Sequence, residues 1–161
     1  MIRDLQYRDA ATVLEIYRQG LATGEASFET EAPDWPGWQS KYHRFCRLVW
    51  EQDNEVRGWA ALAPVSARHC YRGVAEVSIY VSTHCLGQGI GGRLMAALVE
   101  ASETQGIWSL YSSIFPENQS TLQLHLQHGF RQVGIRERIA QHNGRWRDTL
   151  ILERRSVKVG T

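Results

Sequence analysis

The sequence predicts an α/β (α+β) fold: a mixed, largely antiparallel central sheet flanked by helices on both faces. Three observations predict it. Segments of alternating and of helical hydrophobic period follow one another in the order β-α-α-β-β-β-α-β-α-β-β. Two pairs of neighbouring strands are joined by tight turns, at Asp53-Asn54 and Asn143-Gly144. A glycine-rich turn then links a strand directly to a helix. A length of 161 residues fits one domain, residues 1–161, with a substantial core.

Each element has its own local signal. "MIRDLQY" alternates apolar and polar residues and reads as a first strand. Asp9 is placed to cap a helix carrying Val13, Leu14, Ile16, Tyr17 and Leu21 on one face. "ATGEASFETEAPDWPGW" is a loop, because glycine, prolines and acidic residues interrupt any period. A short helix is expected from Trp38 to Phe45. "CRLVWEQDNEVRGWAALAPV" reads as two strands around Asp53-Asn54, and "GVAEVSIYVS" as a third, rich in β-branched residues. A helix runs from Gly89 to Gln105 with Ile90, Leu94, Ala97, Leu98 and Ala101 on one face. "IWSLYSSIF" is a strand. The helix in "PENQSTLQLHLQHGF" ends near Gly129, and the chain closes as a hairpin through Asn143-Gly144.

Composition removes several function classes. The net charge is +1, with no basic run or stripe, so no nucleic-acid partner is expected. No apolar stretch reaches the length of a membrane span, and the N-terminus lacks a signal-peptide core. The expected setting is cytoplasmic, with no membrane partner. The cysteines Cys46, Cys70 and Cys85 form no CxxC pair and read as reduced thiols. His69-Cys70 and His84-Cys85 are poor chelates, since adjacent strand residues point to opposite faces; no metal is expected.

The turn "LGQGIGG" carries the chemistry. Gly87, Gly89, Gly91 and Gly92 let backbone approach a ligand closely, and the helix that follows presents unpaired N–H groups and a positive dipole end. Together these bind a phosphate or pyrophosphate without a basic side chain. The alternative is a tight turn that binds nothing. A Walker-type loop is excluded, because the turn has no GK[ST]. A dinucleotide fingerprint matches in its glycines, but it needs an acidic residue about 20 positions on. Here Glu117 lies well beyond that place, and three strands in hairpin-like succession precede the turn.

"YVSTHCLGQGIGGRLM" resembles the coenzyme A pyrophosphate loop of the GNAT superfamily of N-acetyltransferases. That loop has the form Gln/Arg-x-x-Gly-x-Gly/Ala, and Leu86 stands where the family has Gln or Arg. "SFET", "ARHCYRGVAEVSIYV", "PENQSTLQLHLQHGF" and "HNGRWRDTLILER" further resemble the branch that acetylates phosphinothricin and methionine sulfoximine. Arg68, Tyr71, Arg72, Glu76, Ser78, Tyr80 and Val81 match that branch; Val74 and Ala75 depart from it.

The resemblance implies roles. Acetyl-CoA would lie along Ile79, Tyr80 and Val81, whose backbone N–H groups pair with pantetheine and polarise the thioester. Gly87, Gln88, Gly89, Ile90, Gly91 and Gly92 would cradle the pyrophosphate. Asn118 would bond the pantetheine arm or, alternatively, cap the helix after it. Glu76 in an apolar strand would be the base, acting through water, or else a salt-bridge partner of Arg72 or Arg68. His125 stands, counting back from Phe130, where the family often has a tyrosine. It reads either as general acid or as a histidine packed at a helix–sheet junction; a tyrosine such as Tyr80 is the other acid candidate.

Phe28, Arg68, Arg72, Glu76 and Ser78 would bind a small amino-acid-like amine, the arginines taking its anionic oxygens. Trp146, Asp148 and the hairpin around Gly144 resemble the C-terminal segment of that branch, whose subunits pair and share the substrate region, so the resemblance implies a homodimer. Two alternatives stand beside this. One is acetylation of a polyamine, an aminoglycoside or a protein N-terminus, and the other is a coenzyme A sensor without catalysis.

Overall fold

Strand β4 (Val74–Val81) organises the molecule, because its alternation divides the core in two. Ala75, Val77, Ile79 and Val81 face one layer, while Tyr80 faces the other. The computed structural model describes residues 1–161. In chain order the elements are β1 (Ile2–Asp4), a 3₁₀ turn (Tyr7–Asp9), α1 (Ala10–Ala22), α2 (Trp35–Lys41), β2 (Leu48–Gln52), β3 (Glu55–Pro64), a 3₁₀ turn (His69–Tyr71) and β4. A further 3₁₀ turn (Thr83–Cys85) leads to α3 (Ile90–Thr104), β5 (Ser109–Ile114), α4 (Gln119–Gln127), β6 (Arg131–His142) and β7 (Arg145–Arg155).

The seven strands form one sheet in the order β1-β2-β3-β4-β5-β7-β6. Every neighbouring pair is antiparallel except β4 and β5. That parallel ladder is short: Val74 pairs with Ser109, Ala75 with Leu110 and Glu76 with Tyr111, and there it stops. Beyond Glu76, β4 stays on β3 as far as Val81, while β5 stays on β7 as far as Ile114. The sheet is therefore two antiparallel halves joined by a brief seam, and natural strand twist opens the halves beyond it.

The layer under α3 packs Ile90, Leu94, Met95 and Leu98 onto Ala60, Leu62, Ala75, Val77 and Leu110. The layer under α1 packs Val13, Leu14, Ile16, Tyr17 and Leu21 onto Trp38, Tyr42, Val49, Trp59 and Ala61. Tyr17, Trp59 and Tyr80 stack nearly parallel, with ring centroids 4.7–5.5 Å apart. Helix α1 passes so close that a Cβ on Gly20 would lie 2.5 Å from the Tyr80 ring.

Most of the sequence-based elements are present, with shifted edges. Helix α2 begins at Trp35 rather than Trp38, because Asp34 Oδ1 accepts from Gly37 N at 2.9 Å and Pro36 suits the first turn. Asp9 does not cap α1 with its side chain. Its carboxylate instead accepts from the Arg3 guanidinium at 2.8 and 3.0 Å and from Gln6 N at 2.7 Å. Both hairpin turns take positive φ at both central residues, Asp53 and Asn54 at 54° and 60°, Asn143 and Gly144 at 51° and 76°. Cys46, Cys70 and Cys85 are free thiols. No helix is long and apolar enough to cross a membrane.

Trp59 is fully buried at the centre of the aromatic layer. Trp59→Ala is expected to cost about 3–5 kcal/mol of stability. Urea unfolding followed by circular dichroism measures it as a lowered midpoint at unchanged slope.

Candidate active site

The parting of β4 from β5 makes a cavity of about 500 Å³. Val77 to Val81 form one wall, Ser112 to Phe115 the other, and Asn118, Thr121, Leu124 and His125 of the α4 region close one side. The loop before α2 contributes Glu25, Ala26, Ser27 and Phe28, and α2 itself contributes Lys41. The wall runs outward to Thr83 and Leu86, and the glycine turn continues from there on the open surface.

That turn has the form the sequence requires. Gly87 and Gly89 adopt φ of +78° and +77°, the left-handed region that other residues avoid. None of the backbone N–H groups from Gly87 to Gly92 meets an acceptor in the chain; the first bond of α3 runs from Arg93 N to Gly89 O. A row of unpartnered donors at the N-terminus of a fifteen-residue helix is a built anion site. Gln88 is exposed beside it, whereas the Ile90 side chain is buried in the core, so Ile90 contributes only backbone here. Leu86 is 63% exposed on the rim.

Glu76 sits at the vertex where the strands part and lines the cavity. It makes no ion pair with Arg68 or Arg72. The cleft wets its carboxylate, but the crowding walls strip away enough water to hold its pKa above the ordinary glutamate value; Lys41 opposes that rise and Glu29 adds to it. Ser78 lies on the same face of β4 and its Oγ accepts from Tyr42 Oη at 3.2 Å. Tyr80 also lines the cavity, and burial pushes its hydroxyl pKa up, so it keeps its proton.

The geometry bears on three of the expected assignments. Arg68 and Arg72 lie outside the cavity, exposed around the 3₁₀ turn before β4. Their guanidiniums sit over aromatic rings, Arg68 at 5.6 Å from the Tyr71 centroid and Arg72 at 5.2 Å from that of Trp108. His125 reaches the cavity wall but is only 5% exposed and packs edge-on to Phe130 at 4.8 Å. Its Nδ1 is 2.7 Å from Thr121 O, and a carbonyl only accepts, so Nδ1 carries the proton. Burial lowers its pKa, and Nε2 is buried with no partner. In this tautomer Nε2 presents a lone pair rather than a proton, which fits the packed-histidine alternative. Asn118 caps α4, its Oδ1 accepting from Thr121 N at 3.2 Å, while its Nδ2 donates to Glu25 O at 3.3 Å.

Two further residues shape the site. Arg147 on β7 is 4% exposed and reaches across to the Glu25 loop. Its Nη1 donates to Gly24 O at 2.7 Å, and its Nη2 to Glu25 at 2.8 Å and Glu117 at 3.3 Å. The guanidinium carbon lies 3.6 Å from the Phe115 ring centre. This clamp holds the loop so that Phe28 packs edge-on to Phe115 at 5.0 Å and walls the cavity. Lys41 is the other. Its Nζ donates to Glu29 at 2.8 Å and to Tyr17 Oη at 3.0 Å. One signal for Lys41 was visible: it is one of two lysines in a chain that otherwise uses arginine.

Comparison with known proteins agrees with this geometry. The family model described as "Acetyltransferase (GNAT) family" matches residues 11–130. An L-methionine sulfoximine/L-methionine sulfone acetyltransferase of Pseudomonas aeruginosa is 27% identical, covering 94% of this chain and 92% of its own. A phosphinothricin acetyltransferase from Sinorhizobium meliloti, solved in complex with acetyl-CoA, superposes with a TM-score of 0.88 at 27% identity, covering 99% and 90% of the two chains. A ribosomal-protein-alanine N-acetyltransferase from Brucella melitensis superposes with a TM-score of 0.90 at 28% identity, covering 97% and 99%. The fold is thus shared with solved N-acetyltransferases, and the chain belongs to the GNAT acetyltransferase family.

Proposed function

We propose that the protein transfers the acetyl group of acetyl-CoA to the amine of a small amino acid of the phosphinothricin, methionine sulfoximine or methionine sulfone type. One observation carries this most directly. The unpaired edge of β4 leads without interruption from the donor-lined turn to a carboxylate whose pKa is raised.

The residues fit the co-substrate. Backbone N–H groups from Gly87 to Gly92 take the pyrophosphate, and the β5-facing edge of β4 from Val77 to Val81 takes the pantetheine arm as an added strand. Acetyl-CoA supplies an acetyl group activated as a thioester. Glu76 accepts a proton from the substrate ammonium through water, which frees the amine to attack the thioester carbonyl. Backbone N–H groups at Ile79, Tyr80 and Val81 stabilise the developing oxyanion. The C–N bond forms, the C–S bond breaks, and the sulfur leaves as thiolate. Tyr80, which lines the cavity and is held protonated by burial, supplies its proton, while the His125 proton on Nδ1 is turned to Thr121 O. Phe28 and Ser78 border the acceptor space.

Exposed Val133, Ile135, Ile139 and Trp146 on the terminal hairpin support a homodimer formed through that face, which sedimentation at the mass of two chains would verify. The free thiols suit a cytoplasmic setting. A second reading, acetylation of a protein N-terminus, is favoured by the likeness to the Brucella enzyme.

Thiol release from acetyl-CoA should be measured against phosphinothricin, methionine sulfoximine, methionine sulfone, spermidine, an aminoglycoside and an alanine-initiated peptide. Turnover confined to the first three is expected; turnover of the peptide alone selects the second reading. Coenzyme A binding without turnover of any amine would mark a sensor. Glu76→Gln should lower kcat/KM by about 10²- to 10⁴-fold without lowering Tm, because an amide avoids the cost of the crowded charge. In the wild type, rate should fall with decreasing pH as Glu76 takes up its proton. That limb should lie above the ordinary glutamate value of about 4.3 and be absent from the variant. Gly89→Ala meets no neighbour but must hold a positive φ. It should fold, at a cost of about 1–2 kcal/mol, and raise KM for acetyl-CoA about tenfold.

A further inference from the structure

With Arg68 and Arg72 outside the cavity, one cationic side chain is left in its wall. Lys41 lines the same space as Glu76, and its charge is felt there. An ammonium has three N–H donors. Two are used, on Glu29 and on Tyr17 Oη; the third makes no hydrogen bond of normal length and has only the Tyr42 hydroxyl, itself turned to Ser78, as a protein neighbour. The head is also held over two rings, 5.6 Å from the Tyr17 centroid and 5.4 Å from that of Tyr42. Tyr17 is itself fixed in the aromatic stack. The amine is therefore pre-positioned, with one donor to spare, beside a site that draws ammonium groups toward Glu76.

We propose that Lys41 binds the substrate's α-carboxylate and makes the enzyme select free α-amino acids over plain amines. This rests on the N-acetyltransferase function proposed above. An α-amino acid carries an ammonium and a carboxylate on one carbon, and Glu76 and Lys41 offer the complementary pair on one cavity. A compact ammonium with a single spare donor gives one charge-assisted bond rather than the fork of a guanidinium. Its partner Glu29 lies behind it and keeps the local charge balanced until the carboxylate arrives. Polyamines, which have no carboxylate, and peptide N-termini, whose α-carboxyl is an amide, lose this contact.

The test compares L-methionine sulfone with its decarboxylated amine, 3-(methylsulfonyl)propylamine, on the plateau of the pH profile. Wild type should favour the amino acid. Lys41→Met should lower kcat/KM for the amino acid about 10- to 100-fold, chiefly through KM, which is the worth of one hydrogen bond between charged groups. The amine should lose far less, so the preference collapses. Lys41→Arg, which keeps the charge, should restore much of the preference. Tm of each variant shows whether it is folded. Equal losses on both compounds would make Lys41 only a structural partner of Glu29 and overturn the proposal. An unchanged preference would overturn it too. Wild-type turnover of the plain amine but not of the amino acid would do the same while leaving the acetyltransferase function standing. Failure of wild type to release thiol with any amine would instead overturn that function, and the role of Lys41 with it.

Discussion

The short parallel seam between β4 and β5 is the constraint on which the rest depends. Three residue pairs hold the two antiparallel halves of the sheet together. Were the seam longer, β5 would occupy the edge of β4 that the pantetheine arm needs. Were it absent, Glu76 would not stand at a closed vertex. Sheet twist does the opening, since each half follows its own antiparallel partners. The helices then finish what the strands begin. Helix α3 starts at the turn just beyond Val81, so its free N–H groups arrive at the mouth of the cleft, and α4 closes the side.

Charge is distributed along the cleft in the order that the proposed reaction would use it. In the proposed reaction, backbone donors at the mouth would meet the anionic phosphates with no side-chain cation, and so without the entropy cost of ordering one. The inner end carries side chains of both signs. Glu76 is crowded enough to raise its pKa, Lys41 is tethered by Glu29 and Tyr17, and the tyrosine hydroxyls are buried enough to stay protonated. Arg147 is the least local member. It is desolvated, stacked on Phe115 and bonded to a loop far away in sequence. Its contacts tie the Glu25 loop to β7 beside Phe115.

What could be read from the sequence follows the range of the interactions. The turns at Asp53-Asn54 and Asn143-Gly144 and the glycine turn are decided by backbone sterics within a few residues, and all have the expected dihedrals. Glu76 stands out in the sequence because a carboxylate in an apolar strand contradicts its surroundings, and the structure places it in the cavity wall. The Asp9 cap was not legible, because Arg3 and Gln6 N compete for the same carboxylate. Arg68 and Arg72 adjoin Glu76 in sequence, but the 3₁₀ turn at His69–Tyr71 carries them away from it. His125 has a residue type suited to acid catalysis, yet the bond to Thr121 O and the burial that reverse its proton inventory depend on the folded helix. Lys41 and Arg147 gain their meaning from contacts with segments distant in the chain, where no local period or motif reports them.

The central claim is that one continuous surface, from the glycine turn to the β4 vertex, holds acetyl-CoA. The most direct measurement is a titration of ¹⁵N-labelled protein with coenzyme A, followed residue by residue in amide spectra. The account predicts the largest shifts at the amides of Gly87 to Gly92 and of Val77 to Val81, with Glu76 and Tyr111 marking the inner limit. Shifts that leave both segments unmoved, or that gather elsewhere on the sheet, would contradict it.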